Sequence, residues 1–235
     1  MAGMEATRLE RMVAGLEETY GRQALPPPGT ALEMILWENV AYLADDARRR
    51  EAFQKLKREV GLTPDAILAA PNEKLLEIAG AGILPATFAE KLRKVARIAK
   101  EEFGGKLDSV LRLPVSKARK ALQRFPGIGE PGAEKILLFL RVYPLPALES
   151  NGLRVLLRLG FGQEQKSYSA SYRSAQKAIE HQHEGNCGWL IRAHLVLRRH
   201  GQELCRRNHP MCERCPLVLE CRYYQAGLAG AALRG

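Results

Sequence analysis

The sequence predicts an all-α protein, and three observations carry that reading. Apolar residues recur at helical spacing over most of the 235 residues. No segment alternates apolar and polar residues with a period of two for long enough to build a sheet. Prolines and acids stand where helices would begin.

The elements follow in chain order. Residues 4–20 place Met4, Leu9, Met12, Val13 and Leu16 in one helical rhythm. The stretch Ala24-Leu25-Pro26-Pro27-Pro28-Gly29 breaks that rhythm and reads as a stiff linker. A helix over 30–44 is apolar on one side through Leu32, Ile35, Leu36, Val40 and Leu43. Helices follow over 46–59, 64–69, 72–79 and 85–103. Pro64, Pro71 and Pro85 mark first turns, and Asp65 and Glu73 lie where acids favour the positive end of the helix dipole. Shorter helices are expected over 106–111 and 115–123, and longer ones over 131–142, 150–159, 168–184 and 187–203. The tail 226–235 is rich in small residues and is expected to be disordered.

Composition excludes several classes. No apolar run reaches the ~18 residues of a membrane span. Met1–Leu16 mixes acids with bases and has no apolar core, so it is not a secretory signal. Thirty-six Lys and Arg against 26 Asp and Glu give a net charge of +10. That balance favours a polyanionic partner, nucleic acid first. Clustered thiols without a secretory signal place the chain in a reducing cytoplasm, where disulfides are rare.

Four cysteines crowd the C-terminal region as Cys205-x6-Cys212-x2-Cys215-x5-Cys221. Zinc ribbons bring two Cys-x2-Cys pairs together, and here only Cys212 and Cys215 form such a pair. The compact loop suits a [4Fe–4S] cube, in which each iron takes one thiolate. From spacing alone a zinc knuckle is the alternative. Cys187 stands apart and reads as a small buried hydrophobe.

A second motif is Phe125-Pro126-Gly127-Ile128-Gly129, set between two helical stretches. Two glycines one residue apart let the backbone turn tightly and bare its N–H groups. The following helix adds its positive end, so the turn can seat a phosphate oxygen, assisted by a monovalent cation. Ile128 would pack beneath the turn. A plain corner between two helices remains the alternative on these residues alone.

Taken together, these residues resemble the helix-hairpin-helix DNA glycosylases, in the subgroup of endonuclease III and the adenine-mismatch glycosylase. The resemblance rests on Phe125–Gly129, on the loop Tyr143-Pro144-Leu145-Pro146 before Glu149, and on the cysteine loop, in that order. Glu149-Ser-Asn-Gly-Leu-Arg154-Val155, Trp189 and His200-Gly201-x3-Cys205 extend it over residues 30–225. It implies a two-lobed all-α fold with a C-terminal iron–sulfur loop. Residues 28–145 would form a six-helix domain holding the hairpin. Residues 1–27 and 146–225 would form the cluster domain, with Cys205, Cys212, Cys215 and Cys221 on a [4Fe–4S] centre. Double-stranded DNA would lie across a cleft between the lobes, and a damaged or mismatched base would be flipped out and removed. No protein partner is indicated, and the chain is expected to be a cytoplasmic, nucleoid-associated monomer.

The resemblance also assigns site residues, with two departures. Where the family has a catalytic Asp, this chain has Glu149, whose carboxylate stands about 1.5 Å further along its side chain. The same residue could cap the helix over 150–159. Where bifunctional members carry a Schiff-base lysine, this chain has Pro131. Lys135, one turn further on, would either substitute or stand as a solvated lysine, and efficient strand cleavage is not expected. The expectation is a monofunctional DNA N-glycosylase of base excision repair. The alternative is a DNA-lesion or DNA-structure binding protein that has lost the chemistry. Gly127, Ile128 and Gly129 would grip the strand. Asn39 aligns with the residue that fills the gap left by the base, and Trp37 would stack on a base or lie in the core. Arg206 and Arg207, in the cysteine loop, would meet phosphates.

Overall fold

The computed structural model describes residues 6–183 and 185–232. Among these residues the chain is helical, with no strand. The helices are α1 (Arg8–Tyr20), α2 (Ala31–Val40), α3 (Asp46–Glu59), α4 (Pro64–Ala69), α5 (Asn72–Ala79), α6 (Pro85–Phe103), α7 (Asp108–Leu111), α8 (Val115–Leu122), α9 (Glu130–Phe139), α10 (Ser150–Leu159), α11 (Tyr168–Ile179), α12 (Cys187–Glu203) and α13 (Arg222–Ala232). The chain divides into two compact units. Leu25–Tyr143 forms one, here called the hairpin unit; Met1–Ala24 with Pro144–Gly235 forms the other, the cysteine unit.

In the hairpin unit α2 is the core helix. It is short and apolar almost all round, as a helix packed on several sides must be. Ile35, Leu36 and Val40 are fully buried, and α3, α6 and α9 pack against it. Helix starts follow local chemistry. Thr30 Oγ1 accepts from Glu33 N at 3.2 Å, and Asp45 Oδ1 accepts from Arg48 N at 2.9 Å. The linker before Thr30 feeds the chain into that first cap.

In the cysteine unit α10 is the hub, with α11, α12 and α13 packed around it and α1 against α12. Leu153, Val155, Leu156 and Leu159 of α10 are buried. A capping box opens α1: Thr7 Oγ1 accepts from Glu10 N, and Glu10 Oε2 accepts from Thr7 N. Two short 3-10 turns, Cys212–Arg214 and Val218–Glu220, shape the cysteine loop.

Several boundaries differ from the sequence expectation. The helix expected over 30–44 ends at Val40. The chain then extends through Ala41, and Leu43 adopts the left-handed region at φ 54°. The cause is the loop 80–84: Ile83 N donates to Tyr42 O at 3.0 Å, and Gly82 lies so close that a β-carbon there would strike the Tyr42 backbone. The helix expected over 168–184 stops at Ile179. The expected disordered tail is instead helical to Ala232, consistent with its alanine and leucine content; residues 233–235 lie outside the described residues.

Phe53 is fully buried on α3 and meets Trp37 edge to face, with ring centroids 5.6 Å apart. Phe53→Ala is expected to destabilise the hairpin unit by about 3–5 kcal/mol. Urea denaturation followed by the helical far-ultraviolet signal measures this.

Candidate functional site

The hairpin is built by α8, the turn 125–129 and α9. Phe125 is buried and stacks on Phe103 at 5.6 Å between centroids. Ile128 N donates to Phe125 O at 3.2 Å, closing the turn over the buried Ile128 side chain. Gly127 has φ 75°, a conformation that favours glycine. Gly129 caps α9 in extended conformation, and both glycines are exposed. Arg119 of α8 reaches Glu134 of α9 at 2.6 Å and Glu130 at 3.6 Å, tying the two helices together. The turn therefore presents bare backbone at the positive end of a helix, the geometry that receives an anion.

Of the two readings of Trp37 the structure takes the core one, and Asn39 is corrected. Trp37 is only 6% exposed, packed on Phe53, with the Arg49 guanidinium 5.8 Å from its ring. Its face is committed to the core and offers no stacking surface. Asn39 is fully buried. Its Nδ2 donates to Ile35 O at 3.0 Å and Pro126 O at 2.9 Å, so the side chain holds the turn and does not project from the protein.

The sequence reading missed an exposed apolar group on the loops that follow α2 and α5. Leu43 is 70% exposed, Leu84 56% and Ile83 51%. Leu43 and Leu84 both have positive φ, and their two loops are joined by the Ile83–Tyr42 hydrogen bond. Tyr42 stacks on Phe88 at 4.7 Å, and Lys91 lies 4.0 Å over the Phe88 ring. An apolar knuckle thus protrudes on a rigid base. Leu43 was read as the buried face of a longer helix; the signal that it is not lies in the Ala-Asp-Asp that follows, which starts a new cap at Asp45.

Lys135 is not a free amine. Its Nζ sits 2.6 Å from Glu38 Oε1, and both side chains are largely buried. Pro131 lies in the first turn of α9, as its missing N–H allows.

Glu149 stands at the N-cap of α10. Its Oε1 accepts from Gly152 N at 2.6 Å and its Oε2 from Asn151 Nδ2 at 2.9 Å. A relay continues from there. Asn151 Oδ1 accepts from Arg154 at 2.8 Å, and Arg154 donates onward to Gly201 O at 2.7 Å and Cys205 O at 2.9 Å. Burial lowers the Arg154 pKa, an effect the nearby Cys205 and Glu149 charges oppose. Gly201 lets α12 approach: a β-carbon there would stand 2.7 Å from Asn151 O. The loop into Glu149 is pinned by His194 Nδ1, 2.7 Å from Ala147 O, and by Tyr168 Oη, which donates to Leu148 O at 3.3 Å. Burial first, then the Glu149 charge, pushes the Tyr168 phenol up to about 12, so it stays a neutral donor. Beside this helix start lies a cleft of about 450 Å³ lined by Ser150, Arg154, Arg158, Lys166, Tyr168 and Arg207, among others.

Cys205, Cys212, Cys215 and Cys221 line one pocket and form no disulfide. Arg158 clasps the loop. It donates to Cys205 Sγ at 3.4 Å, to Arg206 O at 2.7 Å and to Arg207 O at 3.0 Å, and lies 4.5 Å over the Tyr223 ring. The side chains of Arg206 and Arg207 remain exposed. Burial pushes the Cys215 thiol up to about 11, and burial with the charges of Cys221 and Cys205 raises Cys212. Such a pocket favours thiolates only around a cationic centre. Among the described residues no three of His, Cys, Asp or Glu are close enough to chelate a single ion. One zinc needs every sulfur about 2.3 Å from a common point. A four-iron cube spreads four thiolates over four metals. Four cysteine sulfurs lining one pocket are the soft donor set that a cube takes.

No family model matches the chain. In sequence it is similar to endonuclease III of Sulfolobus acidocaldarius, 27% identical over 199 residues, covering 83% of this chain and 81% of that protein. It is also similar to the thymine-DNA glycosylase of Aeropyrum pernix, 28% identical over 226 residues, covering 92% and 94%. In structure it is similar to a trapped endonuclease III–DNA covalent intermediate, with TM-score 0.73 at 20% identity over 93% of this chain and 96% of that one. A thermostable thymine-DNA glycosylase gives TM-score 0.72 at 19% identity over 93% and 97%. The chain thus has homologues named endonuclease III and thymine-DNA glycosylase. Its helices reproduce the fold of these DNA glycosylase structures.

In this endonuclease III-like chain Arg154→Ala would leave the acceptors on Gly201, Cys205 and Asn151 without their donor. The expected loss is about 3 kcal/mol from the cysteine unit, at ~1.5–3 kcal/mol per charged hydrogen bond with partial rescue by water. Thermal denaturation of the wild type and the variant measures it.

Proposed function

We propose that the chain binds double-stranded DNA and acts as a monofunctional DNA N-glycosylase in base repair. The observation that carries this reading is the Glu149 carboxylate, fixed at the start of α10 by the amide of Gly152 and by Asn151. In the reaction the C1′–N bond breaks and its electron pair leaves with the base, which takes up a proton. The sugar gains oxocarbenium character, and a carboxylate beside C1′ stabilises that charge. Water then bonds to C1′ and gives its proton to that carboxylate.

The other residues take supporting parts. The amides of Gly127 and Gly129, with a monovalent cation, receive a phosphate, and Arg206 and Arg207 add salt-sensitive affinity for the backbone. The exposed knuckle of Leu43, Ile83 and Leu84 supplies an apolar wedge for a base step, the part the sequence reading gave to Asn39. Cys205, Cys212, Cys215 and Cys221 would hold a [4Fe–4S] centre, which stiffens the loop that Arg154 and Arg158 grip. Lyase chemistry needs a free amine. Pro131 has none, and Lys135 is paired with Glu38.

One observation favours a second reading. Both oxygens of Glu149 are already engaged as a helix cap, which favours a structural role for it in a protein that binds DNA lesions without releasing the base. A lesion panel decides between the two. Duplexes with oxidised, deaminated, alkylated or mismatched bases are incubated with protein and then treated with alkali. Strand breaks support the enzyme; tight binding with no abasic product supports the binder.

Glu149→Gln keeps the acceptor that caps α10 but removes the charge. It is expected to lower excision at least about a hundredfold with little change in Tm. Borohydride is expected to trap no covalent protein–DNA adduct; an adduct would assign an amine that this account leaves idle. Anaerobically purified protein is expected to be brown and to contain about four irons per chain. A colourless, zinc-loaded sample would refute the cluster.

A further inference from the structure

Asn39 sits on the last turn of the most buried helix of the hairpin unit, 87 residues from the carbonyl it holds in the chain. Its orientation follows from chemistry: a group facing the carbonyl oxygens of Ile35 and Pro126 must be the donor NH2, so Oδ1 faces Gly127. Oδ1 is buried with no hydrogen-bond partner. A β-carbon on Gly127 would stand 3.0 Å from it. Gly127 is thus constrained twice, by its φ of 75° and by the amide beneath it.

An unpartnered buried acceptor costs stability. A core position chosen for stability alone would carry an apolar side chain of the same shape. What the amide provides instead is a fixed position for the Pro126 carbonyl, and so for the peptide that follows it. We infer that Asn39 is a positioning residue for the hairpin: its side-chain amide, braced on α2, sets the direction of the exposed amides of Gly127 and Gly129. The inference rests on the reading of that turn as a phosphate-gripping site. It gives α2 a part in DNA binding without any contact to DNA. Neither Leu, which lacks the donor, nor Gln, which adds a methylene against Gly127, can replace it.

The test uses the full chain with its metal centre and a fluorescent duplex bearing a tetrahydrofuran abasic analogue. Anisotropy gives affinity for the wild type, Asn39→Leu and Asn39→Asp between pH 5.5 and 8.5 (about three units). Asn39→Leu is expected to lose about tenfold in affinity, the worth of one well-placed hydrogen bond. Asn39→Asp supplies the readout that mere destabilisation cannot. As a protonated acid its O–H can donate to the Pro126 carbonyl; as a carboxylate it faces two carbonyl oxygens and cannot. Burial raises its pKa. Around the site, Glu38 and Lys135 neutralise each other, Arg49 of α3 lies over Trp37, and α6 contributes buried apolar residues. Relative to wild type at each pH, Asn39→Asp should bind nearly normally at the acid end and weaken about tenfold or more as it ionises.

Affinity equal to wild type for both variants at every pH would overturn the inference. If the wild type itself fails to bind DNA, the phosphate reading falls. Amide hydrogen exchange at Gly127 and Gly129 then judges the strut alone. Faster exchange in the variants supports it, and unchanged exchange overturns it.

Discussion

A single guanidinium organises the cysteine unit. Arg154 bridges Asn151, Gly201 and Cys205, so the start of α10, the end of α12 and the backbone of the first cysteine share one set of hydrogen bonds. Holding a cation in a half-buried place carries a desolvation cost, visible in its lowered pKa. Charge-assisted bonds to fixed carbonyls offset it. Glu149 hangs from the free end of this set through Asn151. A glutamate carboxylate at a loose helix end would swing freely. Here Gly152 N and Asn151 hold both of its oxygens, and the helix start beneath them is anchored to the cysteine loop.

The hairpin unit applies the same principle with different groups. Side chains hold backbone carbonyls from inside, leaving backbone amides for the outside. Asn39 holds Pro126, Arg119 joins α8 to α9 through Glu134, and Phe125 anchors the turn on Phe103. Glu38 and Lys135 close the neighbouring face of α2 and α9 with a largely buried ion pair. Such pairs are weak sources of stability but costly to break singly, which fixes the register of the two helices. The knuckle of Leu43, Ile83 and Leu84 is the reverse case, apolar side chains held out of the core by a backbone hydrogen bond between two loops.

Much of the helical plan was legible because prolines, caps and apolar spacing agree locally, as at Thr63-Pro64 and at Asp45. The hairpin and the thiol loop were legible for the same reason: each is a short, continuous motif. What the sequence concealed depends on contacts between distant segments. Leu43 fits the apolar rhythm of α2, and only the loop at Gly82–Leu84 turns it outward. Asn39 aligned with a residue that fills a gap in DNA, yet a bond 87 residues away in sequence makes it a core strut. Lys135 read as a solvated amine because its partner Glu38 lies on another helix. The relay from Glu149 to Cys205 had half a signal, in Asn151 and Arg154 on successive turns of α10, but its far end is set by tertiary packing.

The claim on which the account turns is that the anchored start of α10 aims Glu149. Asn151→Ala tests it most directly, since it cuts the relay and leaves both the carboxylate and the thiols in place. The quantity to measure is the single-turnover rate of abasic-site formation on a duplex the wild type processes, alongside iron content. The account predicts unchanged iron and a rate lower by about tenfold or more, as a displaced catalytic group requires. An unchanged rate, or a wild type that releases no base from any lesion, would contradict it.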